Sequence, residues 1–359
     1  MNPQPELPLP LEPGQITAQW LGAALGQRRP GVEVIQCEVG EILPGTSTKI
    51  RVSVRYAPGP SAQGLPSQLI VKGGFEAHSP AMKGMYEKEI RFYRDVQPWL
   101  DMHTPASFYA DSDPDSHQSI VIMEDLKARG VEFCHPLRPQ SYAQLARRLE
   151  AMARYHAQTW DSVEFKPGGR LQQVEPYLGA AFTREYQARY FEPDTWAHYM
   201  CLPRAAAVPR RLRDREWMMA AQQQLAAMEQ NGPQCLMHGD THLGNLYIEA
   251  DGTPGFFDMQ IGRAPWYHEF SYHLIAALDI EDRRHWDQPL LAHYLSALRA
   301  QGVAVPGFDE AWEQHRRSVV WGLWVFLINE TRFQTEAVNT ACAARFGAAA
   351  LDYGTRGLF

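Results

Sequence analysis

The sequence predicts an α+β protein with two lobes. The small N-terminal lobe is built on an antiparallel β-sheet with one main helix, and the larger C-terminal lobe is mainly helical. Strand-like alternation is concentrated in the first third of the chain. In Lys49–Tyr56, Ile50, Val52, Val54 and Tyr56 share one face, and Lys49, Arg51, Ser53 and Arg55 the other. From Ser141 onward the apolar residues recur mostly at helical spacing. At 359 residues, 45% of them hydrophobic, the chain is long enough to bury the cores of two such bodies.

The elements follow in chain order. Residues 1–14, "MNPQPELPLPLEPG", lack the cationic start and apolar run of a signal peptide and read as a proline-rich extended tail. Residues 15–125 form the expected N-terminal lobe. Pro58–Ser67 is a Gly/Pro/Ser-rich loop, and the short strand after it, "SQLIVKGG", ends at Gly73-Gly74. In "AMKGMYEKEIRFYRDV" the stripe of Met82, Met85, Tyr86, Phe92, Tyr93 and Val96 predicts the main helix. Glu89 falls in phase with that stripe, whereas Glu87, Lys88, Arg91 and Asp95 fall on the polar side. Ser119–Leu126 reads as a buried strand, and the pattern changes near Leu126, so 126–359 is the expected C-terminal lobe. Ser141 and Gln144 stand at capping-box spacing before a stripe of Tyr142, Leu145, Leu149, Met152, His156 and Trp160. A second helix is expected from Arg210 to Gln230, ending at Asn231–Pro233, and helical spacing returns from about Asp279.

The formal charge of -7 gives no electrostatic pull toward nucleic acid or an anionic membrane. The basic cluster Arg210–Glu216 reads as a solvated helix start. Five dispersed cysteines without CxxC spacing fit a reducing compartment and offer no zinc site. The longest apolar run, Val319–Ile328, is ten residues, against the roughly 20 needed to span a bilayer, and is expected to be a buried helix. A cytoplasmic protein without membrane insertion is expected.

The segment "MHGDTHLGNLY" crowds His238, Asp240, His242 and Asn245 together. Such a cluster can bind a metal directly or form half of a phosphate-transfer site. Asp251-Gly252 is a hairpin turn signal, and folding about it sets Asn245 opposite Asp258, with Cβ atoms about 4.5–5.5 Å apart. An amide oxygen and a carboxylate so placed suit Mg²⁺, which accepts few protein oxygens and leaves places for phosphate. Asp240 precedes Asn245 at D-x-x-x-x-N spacing, that of a kinase-type catalytic loop in which the Asp meets the acceptor hydroxyl and the Asn holds metal. Phosphate transfer also needs a cation held by a carboxylate; Lys72 ends the strand "LIVK", and inward-facing Glu89 is its natural partner. Gly45 with Thr46, Ser47 and Thr48 can form a short phosphate-covering turn or a plain hairpin.

"HGDTHLGN" followed by "FFDMQ", with "IVK", "EIRFY" and "MEDL" upstream, resembles the aminoglycoside phosphotransferase and choline kinase-like family. "EIRFY" and "HWDQPLLAHYLSAL" lean toward its ecdysteroid kinase-like branch, and the likeness runs in order from about residue 15. The resemblance implies a protein kinase-like two-lobe fold and ATP-dependent phosphorylation of a small-molecule hydroxyl. It implies Asp240 as base, Asn245 and Asp258 as Mg²⁺ ligands, and Lys72 with Glu89 as the phosphate anchor. In the turn read above, Ser47 and Thr48 are the candidates to meet the nucleotide, and by the same likeness the backbone near Glu124 meets adenine. His238, His242, Gln260 and Glu269 then support the catalytic loop. Two positions depart from the family pattern: Met259 replaces a usual aromatic residue, and Glu269 stands where an aspartate commonly braces the loop. The competing readings are a nucleotide-binding pseudokinase and a hydrolase using His238, Asp240 and His242 as metal ligands. The acceptor is expected among 160–215 and 265–345, whose aromatics (Trp160, Tyr177, Tyr186, Tyr190, Trp196, Trp266, Trp321 and Trp324) could wall a partly apolar alcohol or a sugar, or could be core.

Overall fold

The computed structural model describes residues 7–359. The chain divides into two compact units. One comprises the described residues through Trp99 with Thr104–Val131, the other Leu100–His103 with Glu132–Phe359.

The first unit opens with helix α1 (Ala18–Gly26), whose start is fixed by Thr17 Oγ1 accepting from Trp20 N at 3.1 Å. Strands β1 (Val34–Leu43), β2 (Thr48–Tyr56) and β3 (Gln68–Gly73) follow, then helix α2 (Lys83–Arg91), which widens into a π turn over Phe92–Val96. Strands β4 (Ser107–Ser112) and β5 (Ser119–Glu124) and the short helix α3 (Leu126–Arg129) complete it. All pairings are antiparallel in the order β1-β2-β3-β5-β4. The alternation in β2 buries Ile50, Val52 and Val54 against Leu69, Val71, Ile120 and Ile122, with Trp20, Leu21 and Leu25 of α1 over them. Each such aliphatic side chain contributes about 1.5–3 kcal/mol on full burial. The change of pattern at Leu126 and the limit of the unit at Val131 differ because α3 and its turn stay with the first unit.

Of the proline-rich stretch, residues 1–6 lie outside the described residues. The remainder does not trail away as a tail: Leu9 is buried, the Pro8 carbonyl accepts from Trp20 Nε1 at 2.9 Å and the Pro10 carbonyl from Gln118 Nε2 at 2.6 Å.

The second unit begins with strand β6 (Glu132–Phe133) and helix α4 (Tyr142–Thr159), whose capping box between Ser141 and Gln144 is formed in both directions. Helices α5 (Ala181–Tyr190), α6 (Pro193–Met200), α7 (Pro203–Ala206) and α8 (Arg215–Asn231) follow. The basic stretch before α8 is a 3₁₀ turn, Arg210–Leu212, so the helix starts later than its sequence pattern predicts, at the Asp214 cap. Four short strands then carry the loops of interest: β7 (Cys235–Met237), β8 (Leu246–Ile248), β9 (Pro254–Phe256) and β10 (Gly262–Ala264). β7 pairs with β10, and β8 lies between β6 and β9, all antiparallel. Helices α9 (Trp266–Ala277), α10 (Ile280–Ala300), α11 (Phe308–Ile328) and α12 (Glu336–Asp352) complete the unit. α9 is buried along its whole length, and the Val319–Ile328 run is the buried end of α11. Among the described residues no helix is long and apolar enough to cross a membrane.

Candidate active site

Within the first unit, β3 and α2 bring a lysine and a glutamate together. Lys72 Nζ donates to Glu89 Oε1 at 2.7 Å, and both side chains are 5% exposed. Glu89 faces inward while Glu87 is exposed; Lys88, which periodicity set on the polar side, is also buried. The turn between β1 and β2 is tied down from below. The Thr46 carbonyl accepts from Tyr86 Oη–H and lies 3.2 Å from His78 Nε2, and Thr48 Oγ1 donates to Glu76 Oε1 at 2.9 Å. Ser47 and Thr48 are both buried. Glu124 ends β5; its carboxylate is occupied by Ala106 N at 2.7 Å and by Arg129 Nη1 at 2.6 Å.

In the second unit, the chain leaves β7 through a tight loop. Gly239 adopts φ +87°, and a Cβ there would stand 2.1 Å from the Gln260 carbonyl oxygen, so glycine is required. His238 is buried beneath. Its Nδ1 accepts from Asp240 N at 3.1 Å, which leaves Nε2–H to donate to the Phe257 carbonyl at 2.9 Å. Burial pushes its pKa down, so the ring stays neutral and both nitrogens are committed to the backbone. This is incompatible with His238 serving as a metal ligand, and the described residues hold no cluster of three or more His, Cys, Asp or Glu able to bind a metal ion. His242 caps the next turn: Nδ1 accepts from Gly244 N at 3.0 Å, and Nε2 stands 3.5 Å from Asp240 Oδ2 and 3.3 Å from the Gln334 amide.

The hairpin register differs by one residue from the sequence expectation. Leu246 pairs with Phe256 and Ile248 with Pro254, because the connection spans Glu249 to Thr253, closed by Glu249 N to the Thr253 carbonyl at 2.9 Å. Asn245 is therefore opposite Phe257, whose N–H donates to the Asn245 carbonyl at 3.0 Å, and Asp258 is one position further on. Asp258 has a left-handed backbone, φ +60°, a conformation that costs a non-glycine residue about 1–3 kcal/mol and concentrates at functional sites. Met259 is fully buried, and Gln260 N donates to the His238 carbonyl at 2.8 Å.

Asp240 is 32% exposed at its side chain, so its carboxylate is partly open. Its Oδ2 accepts from Asn245 Nδ2 at 2.9 Å, and Asn245 Nδ2 also donates to the Asp240 carbonyl at 2.9 Å. Both side-chain amide protons of Asn245 are thereby spent on Asp240, and its side-chain oxygen Oδ1 is the atom that can accept or ligate.

One face of α9 holds the loop residue by residue. Glu269 Oε2 accepts from His238 N at 3.2 Å and Oε1 from Gly239 N at 2.8 Å. Tyr272 Oη–H donates to Asp240 Oδ1 at 2.9 Å, and His273 Nδ1 lies 2.8 Å from the Thr241 carbonyl. Spacing of three and four residues puts these side chains on one helix face. Glu269, longer than the commoner aspartate, thus reaches two successive backbone N–H groups. It also accepts from Tyr155 Oη at 2.7 Å and His156 Nε2 at 2.9 Å. Burial alone would raise its pKa, but the interaction with His156 and the hydrogen bond from Tyr155 help to bring it down to about 2. Tyr155, Tyr272 and His273 escaped the sequence reading, and Tyr177, expected near an acceptor, instead donates through Oη to the Gly239 carbonyl. Only helical period counted from Glu269 could have found Tyr272 and His273.

The aromatics expected near an acceptor are mostly core. Tyr177, Tyr190, Trp196, Trp266, Trp321 and Trp324 are buried, and only Trp160 and Tyr186 are partly open.

Residues 79–308 match the model of a phosphotransferase enzyme family. Among solved structures, a Ralstonia eutropha JMP134 protein provisionally assigned as an aminoglycoside phosphotransferase aligns at a TM-score of 0.54 and 14% identity, over 93% of this chain and 96% of its own. A GDP complex of a mutant aminoglycoside 2'-phosphotransferase-IIIa gives 0.49 and 10%, over 92% and 99%. Choline kinase from Streptococcus pneumoniae gives 0.41 and 10%, over 90% and 98%. The first likeness shows a shared fold, the protein kinase-like fold of these phosphotransferases. No curated protein sequence matches the chain significantly.

Proposed function

The chain belongs to the phosphotransferase enzyme family, and from that premise we propose that it is an ATP-dependent small-molecule kinase that transfers the γ-phosphate to a hydroxyl group. The observation that carries this reading is the pairing around Asp240: a partly open carboxylate, oriented by buried donors, with the Asn245 amide turned toward it.

In this reading Asp240 accepts a hydrogen bond from the acceptor hydroxyl. The hydroxyl oxygen forms a bond to γ-phosphorus, the bond to the bridging oxygen of ADP breaks, and the hydroxyl proton passes late to Asp240. Lys72, held by Glu89, balances charge on the α- and β-phosphates. The Asn245 oxygen and the Asp258 carboxylate suit Mg²⁺, which when bound would neutralise phosphate charge. The turn at Ser47 and Thr48 offers backbone N–H groups to phosphate, and the strand end at Glu124 offers backbone to the adenine. His238, His242, Gln260 and Glu269 keep the loop in shape.

The test is ADP release from Mg-ATP across mixtures of hydroxylated metabolites, sterols, macrolides and aminoglycosides, by wild type and Asp240→Asn. Acceptor-dependent release that falls about 10²–10⁴-fold in the variant supports the assignment. Full turnover by Asp240→Asn would remove Asp240 as base, and nucleotide binding without release in any mixture would favour a pseudokinase.

A further inference from the structure

Tyr272 sits one helical turn after Glu269, in the fully buried part of α9. Its ring stacks on Phe326 of α11, with centroids 5.8 Å apart and planes within 10°, and also packs on Phe346 of α12. Only the phenolic oxygen reaches the loop, where it donates to Asp240 Oδ1 at 2.9 Å. The donor is permanent: burial and then the charge of Asp240 keep the phenol protonated well above the usual tyrosine range.

The two carboxylate oxygens of Asp240 are thus held from opposite sources, Oδ1 by Tyr272 and Oδ2 by Asn245. A side chain held at both oxygens cannot rotate about its carboxylate bond without breaking one of them. An aspartate that must align an incoming hydroxyl gains from this restraint, because placement supplies most of the rate in phosphoryl transfer. We infer that Tyr272 is a positioning residue for phosphate transfer, fixing the plane of the Asp240 carboxylate through its buried phenol. This rests on the reading of Asp240 as base.

The consequence is specific to one hydrogen bond. Tyr272→Phe keeps the ring, its stacking on Phe326 and the volume of the core, and removes only the donor.

The contact is tested first without any acceptor. In protein labelled with ¹³Cζ-tyrosine, the Tyr272 resonance is identified by its loss in Tyr272→Phe and should move in Asp240→Asn. A resonance indifferent to Asp240→Asn overturns the proposal. The second arm is ADP release from Mg-ATP, with water as acceptor and with any acceptor mixture that proves active. Tyr272→Phe should lower kcat roughly 10- to 100-fold with KM for ATP and the thermal midpoint nearly unchanged. In the Asp240→Asn background the same substitution should cost nothing further, since Tyr272 acts through the group already lost. Equal losses in both backgrounds, or a wild-type kcat in Tyr272→Phe, overturn the inference. If instead Asp240→Asn keeps full turnover, it is the base assignment that fails.

Discussion

Glu269 Oε2 lies 2.9 Å from His156 Nε2, with the histidine side chain fully buried and the glutamate 1% exposed. The carboxylate has four donors: His156, Tyr155 and the N–H groups of His238 and Gly239. It joins α4, α9 and the loop that carries Asp240.

Replacing Glu269 by Gln should therefore destabilise the protein by about 3–5 kcal/mol, since buried donors that now meet a charged acceptor would lose it. The amide also brings a donor into a site already filled with donors. The effect has a pH signature. The folded pKa, about 2, is below the ordinary 4.5, so the ionised form contributes fully above about 4.5 and loses its contribution as the pH falls toward about 2. Urea unfolding of wild type and variant at pH 7 and pH 3 should show the gap narrowing in acid. A gap independent of pH would contradict this account.

Gly239→Ala should cost both stability and turnover. The new methyl meets the Gln260 carbonyl at 2.1 Å and the Tyr177 ring at 2.8 Å, and φ +87° is itself unfavourable for alanine. A loss exceeding about 1 kcal/mol is expected from the backbone alone. Thermal unfolding and ADP release, measured together, check it.

The Lys72–Glu89 pair separates structure from function. Lys72→Met takes the cation away from the buried Glu89 carboxylate and should cost about 3–5 kcal/mol, whereas adding Glu89→Gln should return part of that stability. ATP affinity by calorimetry should stay low in both proteins if Lys72 holds phosphate. Recovery of ATP binding in the double variant would refute that role.

Chelation offers a further check. EDTA should abolish acceptor-dependent ADP release and excess Mg²⁺ should restore it. Asp258→Ala should raise the Mg²⁺ concentration needed by at least about tenfold while leaving the β8–β9 hairpin folded. Circular dichroism and a Mg²⁺ titration of activity distinguish lost ligation from lost fold.

Several of these relationships were legible in the sequence because they follow from local periodicity. The alternation of Ile50, Val52 and Val54 is the buried face of β2, the Ser141/Gln144 spacing is a formed capping box, and the period that set Glu89 inward agrees with its burial. The Asn245–Asp258 register was not legible to the residue. A turn signal at Asp251-Gly252 does not reveal whether two or more residues sit outside the ladder, and each extra residue shifts every pair beyond it. Tyr272 was hidden for another reason. A tyrosine in a wholly buried helix looks like core by composition, and only its oxygen, a small part of the side chain, meets Asp240. The aromatics proposed for the acceptor show the same ambiguity in reverse, since most of them are core.

The α9 face has a consequence for how such a protein can change over generations. Glu269, Tyr272 and His273 engage consecutive loop residues, so inserting or deleting a single residue ahead of them would swing the whole set by about 100°. No point substitution elsewhere repairs four contacts at once. Helix and loop are thus inherited as one block. Novelty in what the protein acts upon has to accumulate outside it, in segments whose length can drift without disturbing that block.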